Sequence, residues 1–540
     1  MDHCGCGEAP GFWVSHESGP NTSREPGISL KRSLPKPWNM NAIVVMLDSL
    51  RADHLGCYGN TWIRTPNIDS LAKESLVFDL AYAEGLPTIP VRTSLFTGRY
   101  TLPFRRWQPL EKEDVLLAET LWDKGYRSAL ISDTYHMHKP QMGFSRGFDT
   151  VIWIRGQETD PYIVDPSIPT DVEQFSPRDW RAAYLGQTDE EAREKLAQYL
   201  RNRASWRGEE DHFVAQVVKT AGEWLEEQVE KGRNDRLFLW LDSFDPHEPW
   251  DPPAPYSEMY RVDEYQGRPI IWAGGPSDDW TLPELRHYRA QYAGEVSLVD
   301  EWVGRFLEKV SSLGLLDRTL LILLSDHGEP LGEHGIVKKV RPWPYEELSH
   351  FPLILRPPDG LGISPGHVKR FVGMPDIMPT ILDALGVEVP ATVQGRSLLR
   401  IASGEDSSPD FGISGHYGRS WSIRNREWSF YIWLGGKAPY TWGIGYPKAA
   451  QEDRSPELYR LTEGFIPPRP SQWLPKDVAE KDNVLEQYPE IARAMELDMR
   501  RFIQSLIPSK GDLKAQEALE TEIRQPWLYG VVATPRSKAG

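Results

Sequence analysis

In the stretch Leu86-Pro87-Thr88-Ile89-Pro90-Val91-Arg92-Thr93-Ser94-Leu95-Phe96-Thr97-Gly98-Arg99, a hydroxyl, a proline and an arginine stand at alternate positions, Thr88, Pro90 and Arg92. Pro90 fixes its own φ and removes a backbone donor. Arg92 offers a permanent bidentate cation, and Thr97-Gly98 has the form of a tight exit from a short helix. The pattern suits a nucleophile facing an oxyanion, with an ordinary loop as the bland alternative. Three apolar runs end in complementary chemistry: Ala42-Ile43-Val44-Val45-Met46-Leu47 before Asp48-Ser49, Leu237-Phe238-Leu239-Trp240-Leu241 before Asp242 and His247, and Leu320-Leu321-Ile322-Leu323-Leu324 before Ser325-Asp326-His327-Gly328-Glu329. Carboxylates and imidazoles so delivered suit metal binding and proton transfer, although Asp48 is equally suited to cap a helix. Pro246 and Pro249 bracket His247 and stiffen its loop, and Lys338-Lys339 follows a Gly-rich stretch, Gly332-Glu333-His334-Gly335.

Such side chains need a scaffold that brings strand ends together. A run apolar on both faces reads as a buried, parallel strand, and in open α/β sheets functional groups gather beyond the carboxyl ends. Helices over 65–74 and 115–124 alternate with strands over 77–82 and 128–132. The pattern predicts an α/β fold: a large mixed, mostly parallel sheet flanked by helices on both faces, with a smaller C-terminal α+β subdomain. Residues 155–234 turn polar and read as an insertion with helices over 188–201 and 213–230. Val214, Val217, Val218, Ala221, Leu225 and Val229 give the second an apolar face expected to pack on the sheet. Further helices are expected over 287–307, 375–385 and 490–506, and aromatic strands over 421–423 and 428–433. The expected division is a flexible tail over 1–38, a catalytic domain over 39–400 and a C-terminal subdomain and tail over 401–540.

A formal net charge of −17 argues against a nucleic-acid-binding surface over the whole molecule. The three cysteines, Cys4, Cys6 and Cys57, cannot build a disulfide framework, which points to a reducing compartment. The first 38 residues hold no signal-peptide core, and no run approaches the roughly 18 apolar residues of a membrane span. A cytoplasmic protein with no membrane partner is therefore expected; the sequence leaves its oligomeric state open.

Taken in order, Leu47-Asp48-Ser49-Leu50-Arg51-Ala52-Asp53-His54-Leu55-Gly56-Cys57-Tyr58-Gly59, the Thr88-x-Pro90-x-Arg92 core, Asp245-Pro246-His247-Glu248-Pro249, Ser325-Asp326-His327-Gly328 with Glu333-His334-Gly335 and Lys339, and Asp376-Ile377-Met378-Pro379-Thr380 resemble the sulfatases of the alkaline phosphatase superfamily. Glu457-Leu458-Tyr459 and Lys481-Asp482-Asn483 are similar to that family's second domain. The resemblance implies one divalent metal, calcium or manganese with zinc as a further possibility, held by Asp48, Asp326 and His327 together with the nucleophile position, Thr88. It also implies that Arg92 and Lys339 neutralise the oxygens of the transferring group and that His247 protonates the leaving oxygen. The implied substrate is a small-molecule or glycan sulfate or phosphate ester.

Two positions depart from the family pattern. A threonine at 88 cannot yield the formylglycine aldehyde that working sulfatases form from Cys or Ser. No formylglycine is expected, and Thr88 would form an ester that water must cleave. Asp133 stands where many sulfatases carry a cation for sulfate, which resembles more the phosphonate monoester and phosphodiester hydrolase branch; Ser49 replaces a second Asp. The expectation is therefore a metal-dependent hydrolase of a sulfuric, phosphoric (diester) or phosphonic ester acting through Thr88. The alternative is a catalytically silent relative that binds a sulfated or phosphorylated ligand. A phosphoryl transferase is disfavoured by the lack of membrane helices.

Overall fold

In β1 (Asn41–Leu47) every residue is buried, as a strand covered on both faces requires. The computed structural model describes residues 39–180, 188–339, 343–417, 419–433, 455–461 and 464–506. The tails expected over 1–38 and 507–540, with Cys4 and Cys6, lie outside them.

The further strands are β2 (Leu76–Tyr82), β3 (Arg127–Ser132), β4 (Thr150–Trp153), β5 (Leu237–Ser243), the two-residue β6 (Gly275–Pro276), β7 (Thr319–Leu324), the two-residue β8 (Ile336–Val337), β9 (Leu353–Arg356) and β10 (Gly366–Gly373). Eight of them form one sheet in the order β10-β2-β9-β7-β1-β5-β3-β4, with β6 and β8 paired separately. Only β9 runs antiparallel to its neighbours, so the sheet is mixed and mostly parallel. The register aligns the central strand ends: Leu47 pairs with Ser243, and Met46 with Leu324. Asp48, Asp242 and Asp326 thus emerge at one sheet edge.

Alternation along β1 divides the core. Ala42, Val44 and Met46 face the Thr88–Thr97 and Ile377–Ala384 helices on one side; Ile43, Val45 and Leu47 face the Phe213–Glu230 and Leu282–Ser312 helices on the other. The helix expected over 287–307 is longer at both ends. Its start is fixed by the Thr281–Glu284 capping box and Pro283, signals that lie ahead of its apolar periodicity.

Within residues 155–234 the helix expected over 213–230 packs on the sheet through its apolar face, as its spacing implied. Phe213–Glu230 is a core helix with Val214, Val217, Ala221 and Leu225 fully buried, while Phe175, Trp180, Leu196, Tyr199 and Leu200 build a separate apolar cluster before it. These residues are too scattered in sequence for periodicity to reveal the cluster.

The strands β11 (Gly412–His416), β12 (Ser420–Arg424), β13 (Trp428–Trp433) and β14 (Glu457–Arg460) form an antiparallel sheet. The Pro489–Ser505 helix buries Ala492, Met495, Met499 and Ile503 against Trp421, Phe430 and Leu458. Asn483 accepts the Leu458 N–H at 3.1 Å, tying the two C-terminal motifs together. No described helix is long and apolar enough to cross a membrane.

Candidate active site

Thr88 is the first residue of a ten-residue helix, Thr88–Thr97, buried along its whole length and closed by Gly98 at φ 64°. Four residues on, the Arg92 guanidinium is fully buried. Its Nε and Nη2 donate to the two oxygens of Asp242 at 3.0 and 2.7 Å, and its Nη1 lies 2.9 Å from Asp326 Oδ2, 3.1 Å from Asp48 Oδ2 and 3.3 Å from the Thr88 carbonyl. Asp242 also accepts from Thr134 Oγ1 at 2.6 Å and Trp240 Nε1 at 3.1 Å. Arg92, which the resemblance implied would neutralise oxygens of the transferring group, is here held by three carboxylates. Because three aspartates from separate strand ends converge on one side chain, none alone would have predicted this.

Asp48, Asp326 and His327 place donor atoms within 4.8 Å of one another, all fully buried. His327 Nδ1 donates to the Gly328 carbonyl at 2.8 Å, which leaves Nε2 to carry the lone pair. That nitrogen is buried without a hydrogen-bond partner, and Asp48 Oδ2 meets only the Arg92 ion pair at 3.1 Å, with no hydrogen bond of its own. Burial brings the His327 imidazole down to about 4, so it is neutral at physiological pH. Asp48 is pushed well above the carboxylate range by burial and by Asp326. Burial acts on Asp326 in the same sense, but His327 and Arg92 hold its carboxyl low. An unpartnered nitrogen on a neutral imidazole beside two carboxylates is a donor set that fits a divalent ion.

Ser49, at φ 63°, joins this group to Lys339. Its hydroxyl donates to Asp48 Oδ1 at 2.9 Å and accepts from Lys339 Nζ at 3.0 Å, and its N–H donates to Asp326 Oδ1 at 3.0 Å. Lys339 Nζ also reaches Glu329 Oε2 at 2.6 Å. Burial opposes its charge, but Glu248 and Glu329 keep the ammonium protonated. Glu329 itself is pushed up to about 7, chiefly by burial.

His247 sits between cis Asp245-Pro246 and Glu248-Pro249 bonds, stacked on Phe244 at 3.9 Å. Its Nδ1 donates to the Glu248 carbonyl at 2.7 Å. Burial and then Lys339 hold its pKa well below the usual value, so the resting ring is a proton acceptor and becomes an acid only after taking up a proton. Glu158, His247 and Glu248 form a second compact donor group, but Lys338 pairs with Glu248, and Glu158 meets His136 Nε2 at 3.1 Å.

Asp133 is fully buried and accepts the Phe244 N–H at 2.7 Å beside Gln157, while its neighbour Thr134 donates to Asp242 and His136 meets Glu158. Asp242, Glu248, Glu329 and Lys338 were given no role from sequence. Asp242 and Glu329 carried a signal that could have found them, their place just after an apolar run, like Asp48.

The Sulfatase family model matches residues 40–387. The chain belongs to the sulfatase family. It is 28% identical over 428 residues to the multifunctional alkaline phosphatase superfamily protein PehA of Trinickia caryophylli, covering 70% of this chain and 79% of that one. It is 27% identical over 423 residues to an N-acetylglucosamine-6-O-sulfatase of Bacteroides thetaiotaomicron, covering 68% and 72%. The phosphonate monoester hydrolase of Agrobacterium radiobacter shares the fold at a TM-score of 0.62 and 20% identity, covering 87% of this chain and 96% of that one. This sulfatase-family chain is accordingly an ester-bond hydrolase. The family is generally dependent on a divalent metal, which agrees with the donor chemistry around His327.

Proposed function

We propose that this hydrolase cleaves monoanionic esters, phosphoric diesters or phosphonic monoesters foremost and sulfuric esters as the family alternative, with Thr88 as nucleophile. The observation that carries the reading is Arg92 Nη1, which touches the Thr88 carbonyl, Asp48 and Asp326 at once and so sets the helix start beside the metal-binding carboxylates. The Thr88 hydroxyl attacks the central phosphorus or sulfur, and the bond to the leaving oxygen breaks. His247 takes up the hydroxyl proton and returns it to that oxygen. Water then cleaves the Thr88 ester and the threonine regains its proton. Asp48, Asp326 and His327 would hold calcium or manganese, which supplies Lewis-acid charge when bound. Lys339 stabilises negative charge on the transferring group, while Arg92 keeps the carboxylates and the helix start in place.

A catalytically silent, anion-binding relative is the second reading, favoured by Thr88 itself and by the engagement of Arg92 with three aspartates. The test is initial-rate assay of p-nitrophenyl sulfate, bis(p-nitrophenyl) phosphate and p-nitrophenyl phenylphosphonate with calcium, manganese and zinc in turn. Turnover lost in Thr88→Ala supports the first reading, and full activity of that variant refutes the nucleophile. No turnover by metal-loaded protein that still binds inorganic sulfate or phosphate establishes the second.

A further inference from the structure

His416 ends β11 in the C-terminal sheet, far in sequence from the site residues described above. The chain there is bonded to the approach to Thr88: Leu86 and His416 form a parallel bridge, and the Leu86 N–H donates to the Gly415 carbonyl at 2.8 Å. A side chain on Gly415 would run into the Ser420 carbonyl, so this close passage of backbone fixes where the next residue sits.

The His416 ring is 8% exposed, and its Nε2 is buried with no hydrogen-bond partner. The backbone bridge puts this ring on a strand end bonded two residues ahead of Thr88, and its unpartnered nitrogen is free to meet a ligand there. Its protonation is disfavoured by burial and then by the charge His327 would carry.

We propose that His416 is a substrate-contacting residue delivered by the C-terminal sheet, hydrogen-bonding a non-bridging oxygen of the phosphoryl or sulfuryl group on Thr88. The assignment rests on the hydrolase reading above. It adds a contact from outside the strand ends and makes the C-terminal sheet part of the site.

The test uses the full-length, manganese-loaded chain and compares His416→Phe, which keeps a ring but no nitrogen, with His416→Gln, which restores a donor. Thr88→Ala and Lys339→Ala are measured beside them. Loss of one hydrogen bond to a charged group predicts that His416→Phe weakens inorganic phosphate binding, read by calorimetry, about 10-fold, and lowers kcat/KM on the cleaved ester about 10- to 100-fold. His416→Gln should recover part of both, and neither substitution should shift Tm. Unchanged phosphate affinity and unchanged kcat/KM in His416→Phe overturn the proposal, as does a loss equal in both variants that follows a fall in Tm. If no ester of the panel is cleaved, phosphate affinity alone decides. Sensitivity to Thr88→Ala with indifference to His416→Phe sinks only the His416 assignment; the reverse sinks only the nucleophile.

Discussion

Replacing Arg92 by alanine isolates the electrostatic centre of the site. The guanidinium is fully buried, bonded twice to Asp242, once to Asp326, and ion-paired with Asp48. Removing one partner of a buried ion pair costs about 3–5 kcal/mol, because the other charge stays behind without compensation. The cost is not tripled here. Asp242 keeps Thr134 and Trp240, and Asp326 keeps the N–H groups of Ser49 and His327, whereas Asp48 Oδ2 loses its direct ion pair and keeps only the more distant Lys339. The expected loss is therefore about 3–5 kcal/mol at pH 7.5 with divalent ions chelated, read by urea unfolding through the tryptophan fluorescence. The sign with pH follows from the carboxyls left behind. Asp48, already raised well above the carboxylate range by burial and by Asp326, loses the Arg92 charge that opposes this rise, so its folded pKa moves further above the unfolded value of about 3.9 and the penalty is absent at low pH and grows as pH rises. The variant should lie closer to the unaltered chain at pH 4.5 than at pH 7.5. Arg92→Lys keeps a charge but cannot fork between Asp242 and the Asp48–Asp326 pair, and should lose about half as much. A loss under about 1 kcal/mol at pH 7.5, or one that deepens as pH falls, would refute the assignment of Arg92 as the shared counter-charge.

His334 donates from Nδ1 to Glu347 and from Nε2 to the Glu480 carbonyl, both at 2.7 Å, and although burial opposes its charge, Glu347 raises it to about 9. A raised histidine stabilises fully below its unfolded pKa and loses that contribution as pH passes the folded one, so His334→Gln should cost up to about 3 kcal/mol at pH 6 and almost nothing at pH 10, measured by denaturant unfolding. Glu84, raised to about 7 mainly by burial and capped by the Thr101 and Leu102 N–H groups, loses stability from about pH 4.5 upward; Glu84→Gln should flatten that fall between about pH 5 and pH 7.5, as unfolding free energies across the range would report. Asp326→Asn should weaken manganese binding at least about 10-fold by calorimetry while leaving the far-ultraviolet circular dichroism intact; equal affinity would remove Asp326 from the ligand set.

How far the sequence reached depended on whether a feature was local. β1, β5 and β7 were legible because uninterrupted apolar runs have one reading in a covered sheet, and the polar residues that follow them come out at one edge by register alone. What eluded the sequence was pairing across distance. Nothing local says that Asp242 rather than an ester takes two of the Arg92 nitrogens, or that Ser49 bridges Asp48 and Lys339 across 290 residues. Asp133 misled for the same reason: its charge was visible, but its orientation toward the Phe244 N–H is a tertiary fact. His416 was invisible because its neighbourhood depends on the bridge to Leu86.

The charges around Thr88 bear on which ester the proposed chemistry would accept. Asp48, Asp242, Asp326, Glu158, Glu248 and Glu329 surround Arg92, Lys338 and Lys339, and most of the cationic charge is already bonded to carboxylates. Even with a divalent ion added, cationic charge does not exceed anionic charge. Coulomb energies between partly buried charges at about 4 Å are several kcal/mol, so each extra negative charge on a substrate is costly there. A dianionic phosphate monoester is therefore the least favoured ester, whereas sulfate monoesters, phosphate diesters and phosphonate monoesters carry one charge each and meet the same electrostatic demand. Charge alone cannot separate those three, and the discrimination falls to the nucleophile. An aldehyde hydrate expels sulfate through its second hydroxyl, but Thr88 has only one, so its ester must be opened by water. On the proposed reading, that requirement favours phosphorus over sulfur.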